Sequence, residues 1–259
     1  MRFVNQLGWL AIRFVVELGQ LAVFAFLILR AMVTPPLRLR RFVQEVYNLG
    51  VLSLVIVCVS GLAVGMVLGL QGYNTLVRFG AEGSLGAVVG LSLVRELGPV
   101  LTGLLATGRA GSATAAEIGS MVASEQLDGL RMMSIDPIGL VVTPKALAMV
   151  AVLPLLASLF ILFGLAGAYF VGVNLMGLDG GTYISSLQSS VAFREDIVGS
   201  LLKDVVFGAL IGLIATYRGY AAAPTAAGVS AATTSTVVVT SVAILISDYF
   251  VTALWGVRT

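Results

Sequence analysis

The stretch VYNLGVLSLVIVCVSGLAVGMVLGLQGYNTLV, residues 46–77, contains no charged side chain. A helix needs about 20 predominantly apolar residues to cross the hydrocarbon layer of a membrane, so this stretch is long enough to span it. Uncharged runs at 146–178 and 219–247 are long enough as well. Apolar residues make up 58% of the 259-residue chain and charged residues 11%, which is too apolar for a soluble domain. The sequence predicts an integral membrane protein.

Two further apolar stretches are interrupted by charge. Residues 83–108 carry the adjacent pair Arg95 and Glu96, and residues 197–217 carry Lys203 and Asp204. We therefore predict a single all-α membrane domain, residues 1–259, with about five spans. The predicted spans are residues 46–72, 85–108, 138–173, 197–217 and 236–257. Residues 72–84 and 179–196 are predicted as outer connections, and residues 220–237 as an inner connection.

Residues 1–34 have the pattern of an amphipathic helix. A polar stripe about 60° wide contrasts with apolar residues on the other sides. The stripe consists of Arg2, Gln6, Arg13, Glu17 and Gln20, and the apolar residues are Phe3, Leu7, Phe14, Leu18 and Leu21. This pattern is typical of a helix that lies in the membrane interface. A sixth span is the alternative, because residues 18–29 are uncharged; Thr34, Pro35 and Pro36 are expected to end the helix.

The positions of the basic residues predict the orientation. Lysine and arginine near membrane spans concentrate on the cytoplasmic side. If five spans alternate, ten basic residues fall on one side, namely Arg2, Arg13, Arg30, Arg38, Arg40, Arg41, Arg109, Arg131, Lys145 and Arg218. Arg78, Arg194 and Arg258 fall on the other. We therefore expect a cytoplasmic amino terminus and an external carboxyl terminus.

A polar segment, GRAGSATAAEIGSMVASEQLDGLRMMSIDP at residues 108–137, separates the second and third spans. Its periodicity predicts an amphipathic helix with a polar stripe about 80° wide. The stripe contains Glu117, Ser120, Ser124, Asp128 and Arg131, and the opposite side contains Ile118, Val122, Leu130 and Met133. Glu125 and Gln126 fall on the apolar side, where an unpartnered polar group costs free energy. We therefore expect another protein to dock there.

Arg95 and Glu96 are the charged pair that most needs an explanation. Each costs about 2.5–3.5 kcal/mol at a bilayer centre on insertion scales. Adjacent helix positions point about 100° apart, so the two side chains are expected to reach different neighbours. They are either structural ion pairs between helices or a polar patch in a cavity that meets a charged headgroup. Lys203, Asp204 and Asp248 are expected to be structural, and Gln71 and Asn74 are candidates for the same cavity.

The glycine row Gly61, Gly65 and Gly69 has the GxxxGxxxG spacing that lets two helix backbones approach closely. Gly86 with Gly90, and Gly208 with Gly212, repeat this spacing. Tight helix packing is the default interpretation, and a homodimer seam is the alternative.

Several kinds of chemistry are excluded by composition. The chain has no histidine and one cysteine, Cys58, which argues against a zinc site or redox chemistry. The segment GRAGSA at 108–113 lacks the lysine of a phosphate-binding P-loop, so the chain is not expected to hydrolyse ATP. We predict no catalytic residue, no metal ligand and no cofactor bound by this chain itself.

Several long segments of the sequence are similar to one protein family. They include YNLGVLSL (47–54), SGLAVGMVLGLQGY (60–73), LVRELGPVL (93–101), GRAGSATAAEIGSM (108–121) and EQLDGLRMMSIDP (125–137). GYAAAPTAAGVSAATTSTVV (219–238) and DYFVTALWG (248–256) extend the likeness over nearly the whole chain. The sequence resembles the MlaE permease family of bacterial lipid ABC transporters.

This resemblance implies a homodimeric permease in the bacterial inner membrane that transports phospholipid and maintains outer-membrane lipid asymmetry. Its implied partners are cytosolic P-loop ATPase subunits that bind ATP and Mg, an accessory STAS-domain protein and a periplasmic ring of MCE-domain subunits. The implied lipid-binding residues are Leu68, Gln71, Leu76, Phe79, Arg95, Glu96 and Leu97, of which Leu76 and Phe79 are less typical of the family. Residues 117–133 resemble a coupling helix, with Glu125, Gln126, Leu127, Asp128 and Arg131 as its ATPase contacts.

Two alternatives remain open at the level of sequence. A proton-coupled secondary transporter would use Glu96 as its proton carrier and would need no ATPase. A structural anchor for a periplasmic machine would leave Arg95 and Glu96 without a role. The sequence leaves open the direction of transport and the preferred headgroup.

Overall fold

The computed structural model describes residues 2–33 and 39–256, and this part of the chain is helical throughout, without a strand. Eight helices follow one another in these ranges: α1 Arg2–Val33, α2 Leu39–Val77, α3 Glu82–Ala123, α4 Gln126–Met132, α5 Ile138–Leu175, α6 Gly180–Ser190, α7 at 193–220, and α8 Ala226–Gly256. Some predictions concern residues outside the described ranges, namely Thr34, Pro35, Pro36, Arg38 and Arg258. The described part also leaves out the side chains of Arg2, Phe3, Gln6, Leu7, Arg13 and Phe14.

The predicted all-α membrane fold is confirmed. Six helices in the described ranges are long and apolar enough to cross a membrane: α2, α3, α5, α7, α8 and Val15–Val33 within α1. Helices suit this setting because they satisfy every backbone hydrogen bond internally, where no water is present to do so. The chain is therefore a multi-pass membrane protein.

Helix α1 packs against the ends of other helices. Gln20 accepts a hydrogen bond from Tyr217 at 2.9 Å, and Phe24 contacts the rings of Tyr217 and Tyr220. Ile28, further along α1, packs with Val142 at the beginning of α5. These partners all lie at one end of the bundle, which we call the α4 end because α4 lies there too. This contact pattern suits the predicted interfacial helix better than a span that runs alongside its neighbours.

The predicted tight packing at the glycine row is confirmed, and its partner is helix α5 of the same chain. A Cβ atom added at Gly65 would lie 1.9 Å from the carbonyl oxygen of Gly164, and one added at Gly61 would lie 2.6 Å from that of Phe160. The same holds for Gly208, whose added Cβ would lie 2.8 Å from the Met149 carbonyl oxygen. These surfaces are occupied within the chain, so the row is not a homodimer seam.

Helix α6 lies within residues 179–196, which the sequence predicted as an outer connection. Gly86 of α3 contacts Tyr183 of α6, and Gly90, one turn further along α3, contacts Leu187, one turn further along α6. The two helices therefore run side by side in the same direction. The chain becomes extended at Val191, with φ −91° and ψ 111°, and α7 then continues. This segment is thus helical and packed on α3.

The last connection is largely helical. Helix α8 begins at Ala226, within residues 220–237, which the sequence predicted as an inner connection. Alanine has the highest helix propensity, and the hydroxyl groups of this segment bond back to the helix itself. Thr236, for example, donates to the carbonyl oxygen of Ala232 at 2.8 Å.

Candidate functional site

Two π-helical turns face each other within the membrane bundle. One is Leu93–Leu97 in α3, and the other is Phe193–Ile197 at the beginning of α7. A π-helical turn inserts an extra residue and redirects the side chains around it, and such turns are frequent at functional sites. The first contains Arg95 and Glu96, and the second contains Asp196. The local backbone thus presents three charged side chains between α3 and α7.

Arg95 pairs with Asp196 of the other π-helical turn. The distance between Nε of Arg95 and Oδ1 of Asp196 is 2.6 Å. Asp196 is buried, with 2% of its side chain exposed, whereas 52% of Arg95 is exposed. The second carboxylate oxygen of Asp196 accepts the backbone N–H of Ala192 at 2.7 Å, next to the break between α6 and α7. Asp196 therefore orients Arg95 and leaves much of its guanidinium accessible.

Glu96 pairs with Lys203 of α7. Their charged atoms are 2.7 Å apart, and the Lys203 ammonium also donates to the backbone carbonyl oxygen of Arg95 at 2.8 Å. A third contact reaches Asp248 of α8 at 3.0 Å. Only 6% of the Lys203 side chain is exposed, against 42% for Glu96. Lys203 thus joins three helices, and Thr252 donates a further hydrogen bond to Glu96 at 3.3 Å.

We call this group the Lys203 cluster; its members are Arg95, Glu96, Asp196, Lys203 and Asp248. The prediction that Arg95 and Glu96 reach different neighbours is confirmed. The cluster contains the ion pairs between helices that one interpretation proposed. Its two half-exposed charges are accessible, and their contact with a charged headgroup stays a prediction. Asp196 is the member that sequence reasoning missed, since residues 179–196 were assigned to a connection. Asp204 is not in the cluster and lies buried beside it in the sequence.

The seven residues predicted to line a lipid pocket lie in three places. Leu68, Leu76 and Leu97 pack against one apolar core cluster of α2, α3 and α5. Gln71 and Phe79 are exposed on or just beyond the end of α2. Arg95 and Glu96 belong to the Lys203 cluster. That they line one lipid pocket stays a prediction.

The polar segment forms two helices where one was predicted. Helix α3 ends at Ala123, and Glu125 has the left-handed backbone conformation, with φ 57°, before α4 begins. The break changes the helical phase, so Glu125 and Gln126 are exposed and do not lie on an apolar face. The sequence argument from their misplacement is therefore wrong, because it assumed one continuous helix.

Leu127 occupies the buried side of α4. Only 3% of it is exposed, and it packs with Ile118 of α3 and Val141 of α5. It therefore holds α4 against the bundle and is not available to a partner. Met132, by contrast, is 89% exposed, and Met133 is exposed although the periodicity placed it on the apolar side. The outer surface of α4 thus carries both charged and flexible apolar side chains.

Arg131 connects α4 to the end of α7. It donates hydrogen bonds to the carboxylate of Asp128 and to the hydroxyl of Tyr220, and its guanidinium lies 5.7 Å from the centre of the Tyr220 ring. The hydrogen bond to Tyr220 is the main cause that raises the pKa of Arg131. Sequence periodicity identified Arg131 as exposed, but it could not identify this contact with a residue 89 positions away.

A second lysine, Lys145, bridges two carboxylates at the α4 end. Its Nζ lies 2.9 Å from Glu45 of α2 and 2.8 Å from Glu117 of α3, and only 3% of its side chain is exposed. We call these three residues the Lys145 cluster. Nearby, Arg109 donates to the hydroxyl of Ser53 at 2.7 Å. The sequence used Lys145 only to assign topology, although a lysine next to a long uncharged run was a signal that it needed partners.

Comparison with known proteins places this geometry in a family. The sequence model described as "Permease MlaE" matches residues 42–254, which include every member of both lysine clusters. The chain belongs to the MlaE permease family. The resemblance noted from the sequence is thereby confirmed. Helix α1 precedes the matched region. The residues of the Lys203 cluster, which α3, α7 and α8 contribute, lie within it.

Individual relatives support the same assignment over the full length. The intermembrane phospholipid transport system permease protein MlaE of Haemophilus influenzae is 45% identical over 255 residues, which cover 97% of each chain. A probable ABC transporter permease protein of Rickettsia bellii is 38% identical over 257 residues, 98% of each chain. The chloroplastic protein TRIGALACTOSYLDIACYLGLYCEROL 1 of Arabidopsis thaliana is 34% identical over 216 residues, 83% of this chain and 61% of that protein.

Proposed function

We propose that this chain is the permease subunit of an ATP-driven phospholipid transporter in the bacterial inner membrane. Two copies would exchange phospholipid with a periplasmic ring of MCE-domain subunits and so maintain the lipid asymmetry of the outer membrane. The observation that carries the proposal is the Lys203 cluster, which holds two half-exposed charges inside an apolar bundle. Intramembrane charges are costly and mark substrate pathways more often than not.

The cluster has the chemistry to bind a phospholipid headgroup. An arginine guanidinium can donate two parallel hydrogen bonds to a phosphate, and Asp196 leaves 52% of Arg95 accessible for this role. Lys203 holds Glu96 in place, so that Glu96 can meet a cationic headgroup amine. The acyl chains would contact Leu68, Leu76, Phe79 and Leu97, with Gln71 at the rim. We place the complete pocket between two copies, as the resemblance to the family implies.

The α4 helix would receive the motion of the ATPase. Glu125, Gln126 and Asp128 are exposed there, next to the exposed Met132. We propose that P-loop ATPase subunits, which bind ATP and Mg, dock on this surface with an accessory STAS-domain protein beside them. The amino terminus and α4 would then be cytoplasmic and the carboxyl terminus periplasmic. Leu127 would act indirectly, by fixing α4 on the bundle.

One helix could carry the motion to the cluster. Tyr220, at the end of α7, contacts Arg131 of α4, and Lys203 lies 17 residues earlier in the same helix. That separation is about 26 Å along the helix axis. A displacement of α4 would move α7 and change the position of Lys203 relative to Glu96. ATP binding by the partner would thus favour one of two arrangements of the cluster.

The test is phospholipid transfer by the complete, affinity-purified complex in proteoliposomes. We expect the tagged chain to bring down a P-loop ATPase and bound phospholipid, and transfer of a fluorescent phospholipid to acceptor MCE protein to require ATP hydrolysis. Transfer by the purified chain alone, driven by a proton gradient and abolished in Glu96→Gln, would contradict the proposal. That outcome would favour the proton-coupled secondary transporter.

A further inference from the structure

An apolar groove is lined by residues of α3, α5, α6 and α7. Its volume is about 470 Å³, within the range of roughly 300–1,000 Å³ typical of small-ligand sites. Most of its lining is aliphatic, with Ser158, Gln188 and Ser200 as the polar members. The aliphatic residues are Val94, Ile161, Leu162, Leu165, Leu187, Val191, Ile197 and Leu201. No member of the Lys203 cluster lines it, although Val94 and Ile197 are sequence neighbours of Arg95 and Asp196.

The groove is located at the break between α6 and α7. Leu187 and Val191 come from α6 and the residue that ends it, and Ile197 and Leu201 come from α7. Irregular backbone at membrane depth is tolerated where it is buried in protein or lines a cavity, and discontinuous helices often build transporter sites. Here the carboxylate of Asp196 accepts the N–H of Ala192, so the break does not leave that donor unsatisfied. The groove itself can therefore remain apolar.

The helices that line the groove indicate what can occupy it. Val94 lies 12 residues from the beginning of α3, and Leu162 lies 13 residues from the end of α5. Both residues therefore lie well inside helices that are long and apolar enough to cross a membrane. Leu162 and Leu201 are exposed at its edge, where the surrounding medium is hydrocarbon.

We propose that this groove binds one acyl chain of a membrane phospholipid, at a site separate from the Lys203 cluster. No charged side chain lines the groove to hold a headgroup, and its mainly aliphatic lining matches a lipid tail. A lipid held here would be stored beside the helix break before it enters the transport pathway. The binding of an acyl chain is independent of the proposed function. The identification of the bound lipid as the transported phospholipid rests on the proposed function.

The test uses the full-length chain, purified into nanodiscs that contain phosphatidylethanolamine with a diazirine group midway along one acyl chain. After irradiation, mass spectrometry maps the labelled peptides. We expect labelling of residues 187–201 to exceed that of the lipid-facing residues of α8. Ser158→Trp places a large ring at the mouth of the groove, and we expect it to lower labelling of residues 187–201 about fivefold, which corresponds to about 1 kcal/mol of affinity.

Leu155→Trp is the matched control. Leu155 is exposed on the same helix, about one turn away, and does not line the groove, so we expect labelling to be unchanged. The proposal is overturned if the groove is labelled no more than α8, if Ser158→Trp has no effect, or if the assembled complex shows a partner helix crosslinked there. Labelling requires neither ATP nor transport. Normal labelling in a complex that fails to transfer phospholipid would therefore contradict only the proposed function.

Discussion

The Lys203 cluster and the Lys145 cluster both neutralise a buried lysine, but they lie in different parts of the bundle. In each, a buried lysine bridges carboxylates on two other helices at distances of 2.7–3.0 Å. The Lys145 cluster lies at the α4 end, next to the polar segment, where exposed carboxylate can be hydrated. The Lys203 cluster lies inside the bundle beside two π-helical turns. The same ion-pair chemistry therefore serves as a helix junction at one depth and as a candidate headgroup site at the other.

This difference in position predicts that breaking the ion pairs of the two clusters will lower the free energy of unfolding by different amounts. Removing one partner of a buried ion pair leaves an uncompensated charge, whereas exposed pairs contribute little. At the Lys203 cluster the surviving carboxylates would face hydrocarbon and protein. At the Lys145 cluster they would turn toward water. Five variants test the two clusters and the helix that connects their regions.

The largest effect is expected for Lys203→Met, which keeps the length of the side chain and removes its charge. Glu96 and Asp248 would then repel each other without a cation between them. We expect a loss of about 3 kcal/mol of stability, the lower end of the range for a broken buried pair because Glu96 is partly exposed. Reversible unfolding in mixed micelles measures this loss, and phospholipid transfer should be abolished.

A triple variant separates stability from function at this cluster. Lys203→Met combined with Glu96→Gln and Asp248→Asn removes all three charges, so stability should largely return. Transfer should not return, because the polar patch no longer meets a charged headgroup. Recovery of transfer together with stability would assign the cluster a purely structural role.

Lys145→Met is expected to have a smaller effect of the same kind. Glu117 is half-exposed and can be hydrated when its partner is lost, so we expect a loss of about 1 kcal/mol. The same unfolding assay measures it beside Lys203→Met. Equal losses for the two lysines would show that depth in the bundle does not distinguish the clusters.

Tyr220→Phe tests whether α7 connects the two regions. The change keeps the ring next to Arg131 and removes one hydrogen bond, which should cost about 0.5–1 kcal/mol of stability. If α4 moves α7 through this contact, lipid-stimulated ATPase activity of the whole complex should fall about fivefold. Tyr217→Phe is the matched control, because it removes a tyrosine hydroxyl from the same helix, the one that donates to Gln20 of α1, and leaves the Tyr220 contact with Arg131 in place. A similar loss of activity in both variants would argue against a role specific to Tyr220.

The smallest effect is expected for Thr252→Val. It removes a 3.3 Å hydrogen bond to Glu96 and leaves the Lys203 contact in place. We expect a stability change of about 0.5 kcal/mol and a modest fall in transfer. Comparison of transfer rates at matched protein levels measures it. A loss as large as that of Lys203→Met would mean that the hydroxyl, and not the ammonium, positions Glu96.

Several features of the fold could be predicted because they depend on one helix at a time. Long uncharged runs indicated the spans, and the glycine spacing indicated close packing. The direction of neighbouring side chains on a helix indicated that Arg95 and Glu96 would not pair with each other. The polar segment was predicted as well, but its helix break was not. A left-handed residue is usually a glycine, whereas here Glu125 adopts this conformation, so the break had no signal in the sequence.

The errors share a cause, which is that they concern contacts between distant parts of the chain. Leu127 was assigned to a partner protein, yet it packs on Ile118 and Val141. Residues 179–196 were assigned to a connection because they are polar, yet Tyr183 is buried beside Gly86. Local composition could not reveal that α3 offers a glycine surface to this segment.

The sequence by itself determined that this chain is a helical membrane protein of the MlaE permease type, because transfer into hydrocarbon and helical periodicity act on each segment separately. Only the tertiary structure decided which helices the glycine rows join, which carboxylates the two buried lysines bridge, and where the chain breaks between α6 and α7. Those outcomes depend on the close packing of segments up to 107 residues apart, as between Glu96 and Lys203. Which helices pack together depends on the shape and charge of both surfaces, and the sequence of one segment alone does not contain this information.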